Sequence, residues 1–226
     1  MILKIGHSGA KGYEPENTLR SFKKAINLGV DMIELDVYIC KTGEVVVMHD
    51  NKVDRMTNGS GYVDSKSLKQ LKKLKIKKSE KIPTLREVLN LINRKTKINI
   101  ELKGEKIASP VLSIIKEYVN KNNWSYDDFL ISSFNHYELQ KFNKLNKDIK
   151  IGALTYCIPI GFAEFAEKIN TYSIHLSKDF INKKFVNDAH KRNLKVFVYT
   201  VNDIDDIKRI KKLGVDGIFS DYPDRL

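Results

Sequence analysis

Cysteine is scarce in this sequence. Only Cys40 and Cys157 occur in 226 residues, and they lie in separate parts of the chain. Two distant cysteines do not make the framework of a disulfide-stabilised secreted protein, and no Cys-x-x-Cys pair is present to hold a structural zinc ion. Both classes of protein are therefore excluded.

Long apolar segments are also missing. No run approaches the roughly 20 apolar residues that a membrane-spanning helix needs, and no charged-then-apolar leader follows Met1. Hydrophobic residues make up 42% of the chain and charged residues 30%, which is ordinary for a globular protein. We therefore expect a cytoplasmic protein without stable membrane insertion, either a monomer or a homo-oligomer.

Positive charge is in excess. The chain has 40 basic and 28 acidic residues, a net charge of +12. Such an excess can attract phosphates, membrane surfaces or nucleic acids. The lysines recur on helical faces, as in KSLKQLKKLKIKK (66–78), rather than in one block. Solvated helix surfaces explain this spacing, so no nucleic-acid partner is predicted.

Strand-like and helix-like segments alternate along the chain. Apolar runs predict eight strands, over residues 2–6, 32–39, 97–103, 128–134, 150–156, 172–177, 195–201 and 217–222. Apolar residues three and four apart predict seven helices, over residues 18–29, 84–94, 109–121, 136–146, 161–170, 182–193 and 203–214. The alternation predicts an α/β fold, a single (β/α)8 TIM barrel over residues 1–226 with a reduced or absent last helix. No Gly-x-Gly-x-x-Gly follows the first strand, which disfavours a dinucleotide-binding sheet.

One segment interrupts the alternation after the second strand. It is an insertion over about residues 50–83, preceded by a predicted hairpin strand (44–50) and containing a Lys-rich helix (65–75). We expect it to be an addition to the barrel rather than a separate domain.

Carboxylates occupy inward positions on two neighbouring strands. Side chains of a barrel strand alternate between the interior and the helix layer. In MIELDVYI this alternation turns Glu34 and Asp36 inward, and in KINIELK it turns Glu101 and Lys103 inward. Three converging carboxylates repel one another unless a cation joins them, and oxygen ligands suit Mg²⁺ or Ca²⁺. The alternative is a set of interior ion pairs, for which Lys103 is the only obvious inward cation.

Two histidines and two aromatic residues are predicted near the same end of the barrel. His7 ends the first strand and His49 follows the predicted hairpin strand, on the side where barrel enzymes keep their active sites. Above a cation, they suit acid–base work on a phosphate ester, one accepting and one donating a proton. Phe134 and Tyr199 could wall the mouth of a pocket, although core packing explains them equally well.

Eight segments in order resemble the signature segments of the glycerophosphodiester phosphodiesterases. They are GHSGAKGYEPENT, IELDVYICKTGEVVVMHD, TNGSGYV, IPTLREVL, INIELK, SSF, YTVN and DGIFSDYPD, and they run from Gly6 to Asp224. The resemblance implies a TIM barrel that uses a divalent cation to hydrolyse deacylated phospholipid headgroup diesters to an alcohol and sn-glycerol 3-phosphate.

The same resemblance implies roles for the residues singled out above. It assigns acid–base catalysis to the two histidines, the metal to Glu34, Asp36 and Glu101, and phosphate binding to Lys103. The family has an arginine after its first histidine, where this chain has Ser8. Ser8 would offer substrate one neutral hydrogen bond in place of a guanidinium fork, a loss of about 1.5–3 kcal/mol.

The sequence is also compatible with two other functions. One is lysophospholipase D-type activity on lipid substrates, and another is a non-catalytic phosphate-binding barrel, suggested by Ser8. Attack by water and attack by the substrate's own 2-hydroxyl, through a cyclic phosphate, both fit the residues, and either histidine could be the base.

Overall fold

The computed structural model describes residues 2–226 as a closed barrel with one strand outside it. The nine strands are β1 (Leu3–Gly6), β2 (Met32–Ile39), β3 (Val45–Val47), β4 (Lys97–Leu102), β5 (Phe129–Ser133), β6 (Lys150–Thr155), β7 (Ser173–Ser177), β8 (Lys195–Tyr199) and β9 (Gly217–Ser220). Eight of them pair in parallel, and the pairing of β1 with both β2 and β9 closes the ring. Strand β3 pairs antiparallel with β2 and stands outside the ring. The predicted TIM barrel is confirmed.

Helices follow the strands and cover the barrel. They are α1 (Leu19–Asn27), α2 (Leu68–Leu71), α3 (Leu85–Ile92), α4 (Ala108–Lys121), α5 (His136–Leu145), α6 (Glu164–Lys168), α7 (Lys183–Lys191) and α8 (Ile204–Lys212). Side-chain caps start several of them; Thr84 and Glu87, for example, form a reciprocal capping box at α3. After β9 there is only a 3₁₀ turn, Pro223–Arg225, which agrees with the prediction of a reduced last helix. No helix among residues 2–226 has the length and apolarity of a membrane span.

Two predicted helices are shorter than expected. The helix predicted over 65–75 is the single turn α2, because Lys75 and Ile76 leave it to bond Asn58 and Thr57. The helix predicted over 161–170 begins only with α6. Gly161 and Phe162 precede it in the left-handed region, with φ angles of 84° and 52°, and therefore cannot belong to a right-handed helix.

Three apolar clusters follow from the alternation of side chains. The largest packs the outward strand residues, such as Ile33, Leu35 and Val37, against the helices. A smaller cluster fills the lower barrel interior, with Ile5 and Phe197 among its members. The insertion has a cluster of its own around Val53 and Leu71. Toward the carboxyl ends of the strands, buried polar side chains such as Glu34, Asp36 and Asn99 enter the barrel interior.

Candidate active site

A cavity of about 270 Å³ opens at the carboxyl ends of the barrel strands. Its wall includes His7, Asp36, His49 and Glu101, which come from four different segments of the chain. The parallel barrel brings them together because all eight strands end on the same side. The structure thus places most of the predicted site residues around one opening.

The three predicted carboxylates form a compact, buried group, here called the acidic cluster: Glu34, Asp36 and Glu101. Asp36 lies directly opposite Glu101 in the β2–β4 register, and Glu34 lies opposite Asn99. One ligand oxygen from each carboxylate lies within 4.8 Å of the others, and all three side chains are buried. Among residues 2–226, this is the only group of three acidic, histidine or cysteine side chains so arranged.

Burial makes the acidic cluster costly to ionise. Desolvation, followed by the charge of Asp36, raises the pKa of Glu34 from 4.5 to about 8. The same two causes raise the pKa of Glu101 to about 7. A bound cation would remove this cost.

Lys103 is the counter-charge that the structure supplies. Its Nζ lies 2.8 Å from Glu101 Oε1 and 3.4 Å from Asp36 Oδ1. Burial alone would lower the pKa of Lys103, but these two carboxylates raise it above its ordinary value. The ion-pair alternative is therefore present in part, yet one lysine cannot neutralise three carboxylates.

The acidic cluster fits a hard divalent cation. Its donors are all carboxylate oxygens, they lie within 4.8 Å of one another, and burial together with the charge of Asp36 raises the pKa of Glu34 and Glu101, a cost that a bound cation would offset. Glu34, Asp36 and Glu101 are the residues that would hold Mg²⁺ or Ca²⁺.

His7 is oriented by a carboxylate that directly follows the last strand. Its Nδ1 lies 2.6 Å from Asp221 Oδ1. The Asn202 side chain holds Asp221 in turn: its Nδ2 donates to Asp221 Oδ2, and its Oδ1 accepts from the Asp221 backbone N–H. Desolvation opposes protonation, but the hydrogen bond to Asp221 and the charges of Glu34 and Asp36 outweigh it and raise the pKa of His7. Since Nδ1 is engaged, Nε2 is the nitrogen left for a substrate.

His49 has an equivalent arrangement built from different residues. Its Nδ1 lies 2.7 Å from Asp50 Oδ1. Arg55 donates to Asp50 (Nε to Oδ2, 2.6 Å) and to Glu16 (Nη2 to Oε1, 2.5 Å). The hydrogen bond from Arg55 is the main reason why the pKa of Asp50 falls to about 2. Asp50 is therefore a fixed carboxylate, and again Nε2 of the histidine is left free.

Ser8 does not lie where the sequence analysis expected. Its side chain is completely buried and is not part of the cavity wall. The backbone N–H of Ser8 donates to Glu34 Oε2 at 2.7 Å, and its Oγ lies 3.5 Å from Asp36 Oδ2. This side chain points at the acidic cluster, because the left-handed backbone at Ser8 (φ 47°) turns it inward. The expected contact of Ser8 with substrate is therefore corrected to a contact with the acidic cluster.

Asn17 also contacts the acidic cluster, at Asp36. Its Nδ2 donates to Asp36 Oδ2 at 2.8 Å, while its Oδ1 accepts from the Asp36 backbone N–H at 3.2 Å. The neighbouring Thr18, not Asn17, caps α1, by accepting from the backbone N–H of Ser21. Asn17 instead orients Asp36.

Aromatic side chains form one wall of the cavity. Phe134 is 40% exposed and packs edge-to-face with Tyr199 at 6.0 Å between ring centres. The hydroxyl of Tyr199 donates to Thr155 O at 2.8 Å, which fixes the ring. Both residues line the opening, as expected for pocket walls.

His175 lies deeper, on the floor of the cavity. It packs between Phe197 and Phe219, each 5.2 Å away, and burial lowers its pKa to about 3. Its Nε2 faces Ser173 Oγ at 2.9 Å, and a Cβ on Gly152 would lie only 2.5 Å from that nitrogen. A neutral packing role fits this setting.

The main omissions of the sequence analysis are the partners of the histidines. Asp221, Asn202 and Arg55 were not singled out, although each lies within or beside a quoted family segment. The only signal available was the position of Asp221 just after the last strand, where it shares the catalytic end of the barrel.

Comparisons with known proteins agree with this geometry. The model of the glycerophosphoryl diester phosphodiesterase family matches residues 7–225. A glycerophosphodiester phosphodiesterase of Caldanaerobacter subterraneus subsp. tengcongensis is 40% identical, over 99% of this chain and 96% of its own. Another, from Bacillus altitudinis, is 35% identical, over 98% and 95% of the two chains. The structure of an Oleispira antarctica phosphodiesterase in complex with the product sn-glycerol-3-phosphate superimposes with a TM-score of 0.90 at 31% identity, covering 98% of this chain and 93% of the other.

Proposed function

The chain belongs to the glycerophosphoryl diester phosphodiesterase family, and on that premise we propose that it hydrolyses glycerophosphodiesters to an alcohol and sn-glycerol 3-phosphate with the help of a divalent cation. The observation that carries the proposal is the flanking of the acidic cluster by two carboxylate-oriented histidines in one cavity. The sn-glycerol-3-phosphate bound to the similar Oleispira antarctica structure supports the same product class.

The acidic cluster and Lys103 would bind the phosphate group. A divalent cation held by Glu34, Asp36 and Glu101 would neutralise charge on the phosphoryl oxygens. Once the carboxylates have that cation as their partner, the Nζ of Lys103 is available for a phosphoryl oxygen. Lys103 would thus supply the positive charge that the family's arginine provides elsewhere, as a point charge rather than a fork.

His7 and His49 would move the protons. As the new P–O bond forms, one Nε2 would accept the proton of the attacking water or 2-hydroxyl; as the bond to the alcohol breaks, the other Nε2 would donate a proton to the departing oxygen. If the 2-hydroxyl attacks, a water molecule would then open the cyclic phosphate to sn-glycerol 3-phosphate by the same exchange of protons. Asp221 would hold the ring of His7, and Asp50 the ring of His49, in the orientation that this proton transfer requires. Phe134 and Tyr199 would shield the reacting group from water on one side.

The direct test is release of sn-glycerol 3-phosphate from glycerophosphocholine and glycerophosphoethanolamine, with Mg²⁺ or Ca²⁺ and with chelator. We expect release with cation and none with chelator. Failure to release product under every metal condition, from folded protein, would favour a non-catalytic phosphate-binding barrel.

Two variants separate catalysis from metal binding. His7→Ala and His49→Ala should each lower kcat by at least about 100-fold, in keeping with the usual contribution of general acid–base groups. Cation binding, measured by calorimetry, should persist. The surface variant His190→Ala is the matched control, because His190 pairs with Asp216 outside the cavity.

Product analysis distinguishes the remaining routes. A cyclic phosphate intermediate would indicate attack by the substrate's own 2-hydroxyl, and incorporation of labelled water without it would indicate direct hydrolysis. Faster turnover of lysophosphatidylcholine than of glycerophosphocholine would favour the lysophospholipase D-type alternative.

A further inference from the structure

Exposed apolar side chains are concentrated on one part of the catalytic face. Most of the strongly exposed large hydrophobic residues lie just beyond the carboxyl ends of the adjacent strands β5, β6 and β7. They form what we call the apolar rim: Phe134, Tyr137, Tyr156, Ile158, Ile160 and Phe180. Apolar groups gathered in this way mark sites of contact with proteins or membranes, whereas isolated ones do not.

The centre of the apolar rim is the loop between β6 and α6. Residues 156–163 contain no charged side chain, in a chain that is 30% charged. Ile160 is fully exposed, Tyr156 is 69% exposed and Ile158 is 44% exposed. Exposure of these apolar side chains to water is unfavourable, and the rest of the described chain does not bury any of the three.

The loop is held in this exposed position at both ends. At its start Tyr156 packs on Phe134, 5.6 Å away between ring centres. At its end Phe162 packs on the buried Phe185, and the N–H of Ala163 donates to Asp188 Oδ2 at 3.0 Å. The contact with Phe134, which lines the cavity, makes the apolar rim continuous with the candidate active site.

The segment that leaves the cavity wall at His49 is rich in positive charge. Residues 50–83 begin next to His49, which lines the cavity, and end at Thr84, which starts α3. This segment has ten basic and four acidic residues, so it carries a net charge of +6, half of the chain's +12. Five of its exposed lysines that have no acidic partner form what we call the lysine patch: Lys69, Lys73, Lys75, Lys77 and Lys81.

An apolar loop beside the opening and a lysine patch in the segment that follows His49 match the two layers of a membrane surface. Lysines near a membrane interact with anionic headgroups, while aromatic and aliphatic side chains enter the apolar boundary below them. A nucleic acid would use the lysine patch and leave the apolar rim in water. We infer that the catalytic face of the barrel docks reversibly on anionic phospholipid bilayers, with the apolar rim inserted and the lysine patch on the headgroups.

Sedimentation with vesicles tests this inference independently of the proposed hydrolysis. The full chain is mixed with vesicles of equal parts phosphatidylglycerol and phosphatidylcholine, and with vesicles of phosphatidylcholine alone. We expect binding to the anionic vesicles that weakens as salt is raised, because salt screens the lysine contacts. Absence of binding at low salt would overturn the inference.

Paired variants locate the contact. Ile158→Ser with Ile160→Ser should weaken vesicle binding about tenfold or more, given the free energy of burying aliphatic groups. Leu145→Ser is the matched control, since Leu145 is 50% exposed at the end of α5, on the opposite side of the barrel. Equal losses in the test and control variants would overturn the inference.

Charge variants complete the test. Lys73→Gln, Lys75→Gln and Lys77→Gln combined should weaken binding by about tenfold to hundredfold and flatten its salt dependence. If this triple variant alone lost binding and the isoleucine variant did not, the surface would be a general polyanion site and the lipid inference would be wrong. Hydrolysis of soluble glycerophosphocholine by the isoleucine variant should equal that of the parent protein, which shows that the fold is intact.

Discussion

Replacing Glu34 by glutamine should make the cation-free protein more stable at pH 8, although Glu34 belongs to the candidate active site. Because its pKa is raised from 4.5 to about 8, the folded protein retains a proton here that the unfolded chain has lost. Stability falls with rising pH wherever the folded state binds more protons than the unfolded state. The folded parent protein should therefore lose stability as pH rises from about 5 to 8, and Glu101, with a pKa of about 7, adds to the loss.

The size of the effect follows from the same pKa. A rise from 4.5 to about 8 corresponds to about 5 kcal/mol of lost stability at a pH above both values. For a chain of this length, 1 kcal/mol shifts Tm by about 2–4 °C. Glutamine is neutral, and its amide oxygen can still accept the Ser8 N–H bond. We therefore expect Glu34→Gln to raise Tm at pH 8 by about 10 °C and to flatten its dependence on pH.

Thermal unfolding in the presence of chelator, from pH 5 to 9, measures this directly. Glu105→Gln serves as the control, because Glu105 is exposed and lies outside the acidic cluster. With Mg²⁺ or Ca²⁺ added, the order should reverse: the parent protein gains stability by mass action, and Glu34→Gln gains less. A parent Tm that rises between pH 5 and 8, or a variant that is less stable than the parent at pH 8, would refute the reasoning.

Three further variants examine how the site is held. Asp221→Asn should lower kcat about tenfold to hundredfold with little change in KM and shift the pH–rate profile, because the His7 ring loses its charged partner; an unchanged profile would contradict that role. Arg55→Gln should lower kcat about tenfold and Arg55→Lys should recover part of it, since lysine restores a charge beside Asp50; if Gln behaves like the parent protein, Arg55 does not orient His49. Ser8→Ala should change kcat/KM less than about threefold, because the Ser8 hydroxyl lies 3.5 Å from Asp36 and the shorter backbone contact with Glu34 is kept; a tenfold rise in KM would mean that the hydroxyl binds phosphate after all.

The predictions from the sequence agree best with the structure where side-chain direction depends only on the local backbone. Strand alternation placed Glu34 and Asp36 inward and Leu35 outward, and this is what the barrel shows. A strand's pleat has period two whatever its neighbours are, so the direction of a side chain can be read from the run itself. Helix extents were less accurate, because α2 and α6 were shortened by backbone contacts and turns that no periodicity reports.

Ser8 shows that the role of a substituted residue cannot be taken from the family pattern alone. In the sequence it stands where a phosphate-binding arginine is expected, which suggested a weaker substrate contact. In the structure its left-handed backbone and complete burial direct the side chain to Asp36. The direction of a side chain in a turn depends on the backbone angles, which the residue's neighbours along the chain do not determine alone.

By itself, the sequence determined the barrel, the three inward carboxylates and the two strand-end histidines, because these depend on short-range periodicity and on the order of elements. Only the tertiary structure decided what holds the histidines. Asp221 and His7 are 214 residues apart in the sequence, and they come into contact because β9 pairs with β1 when the barrel closes. Arg55 and Glu16, which also form a hydrogen bond, are 39 residues apart. The side chains of the candidate active site could be found from local pattern, whereas the contacts that orient them exist only after long-range closure.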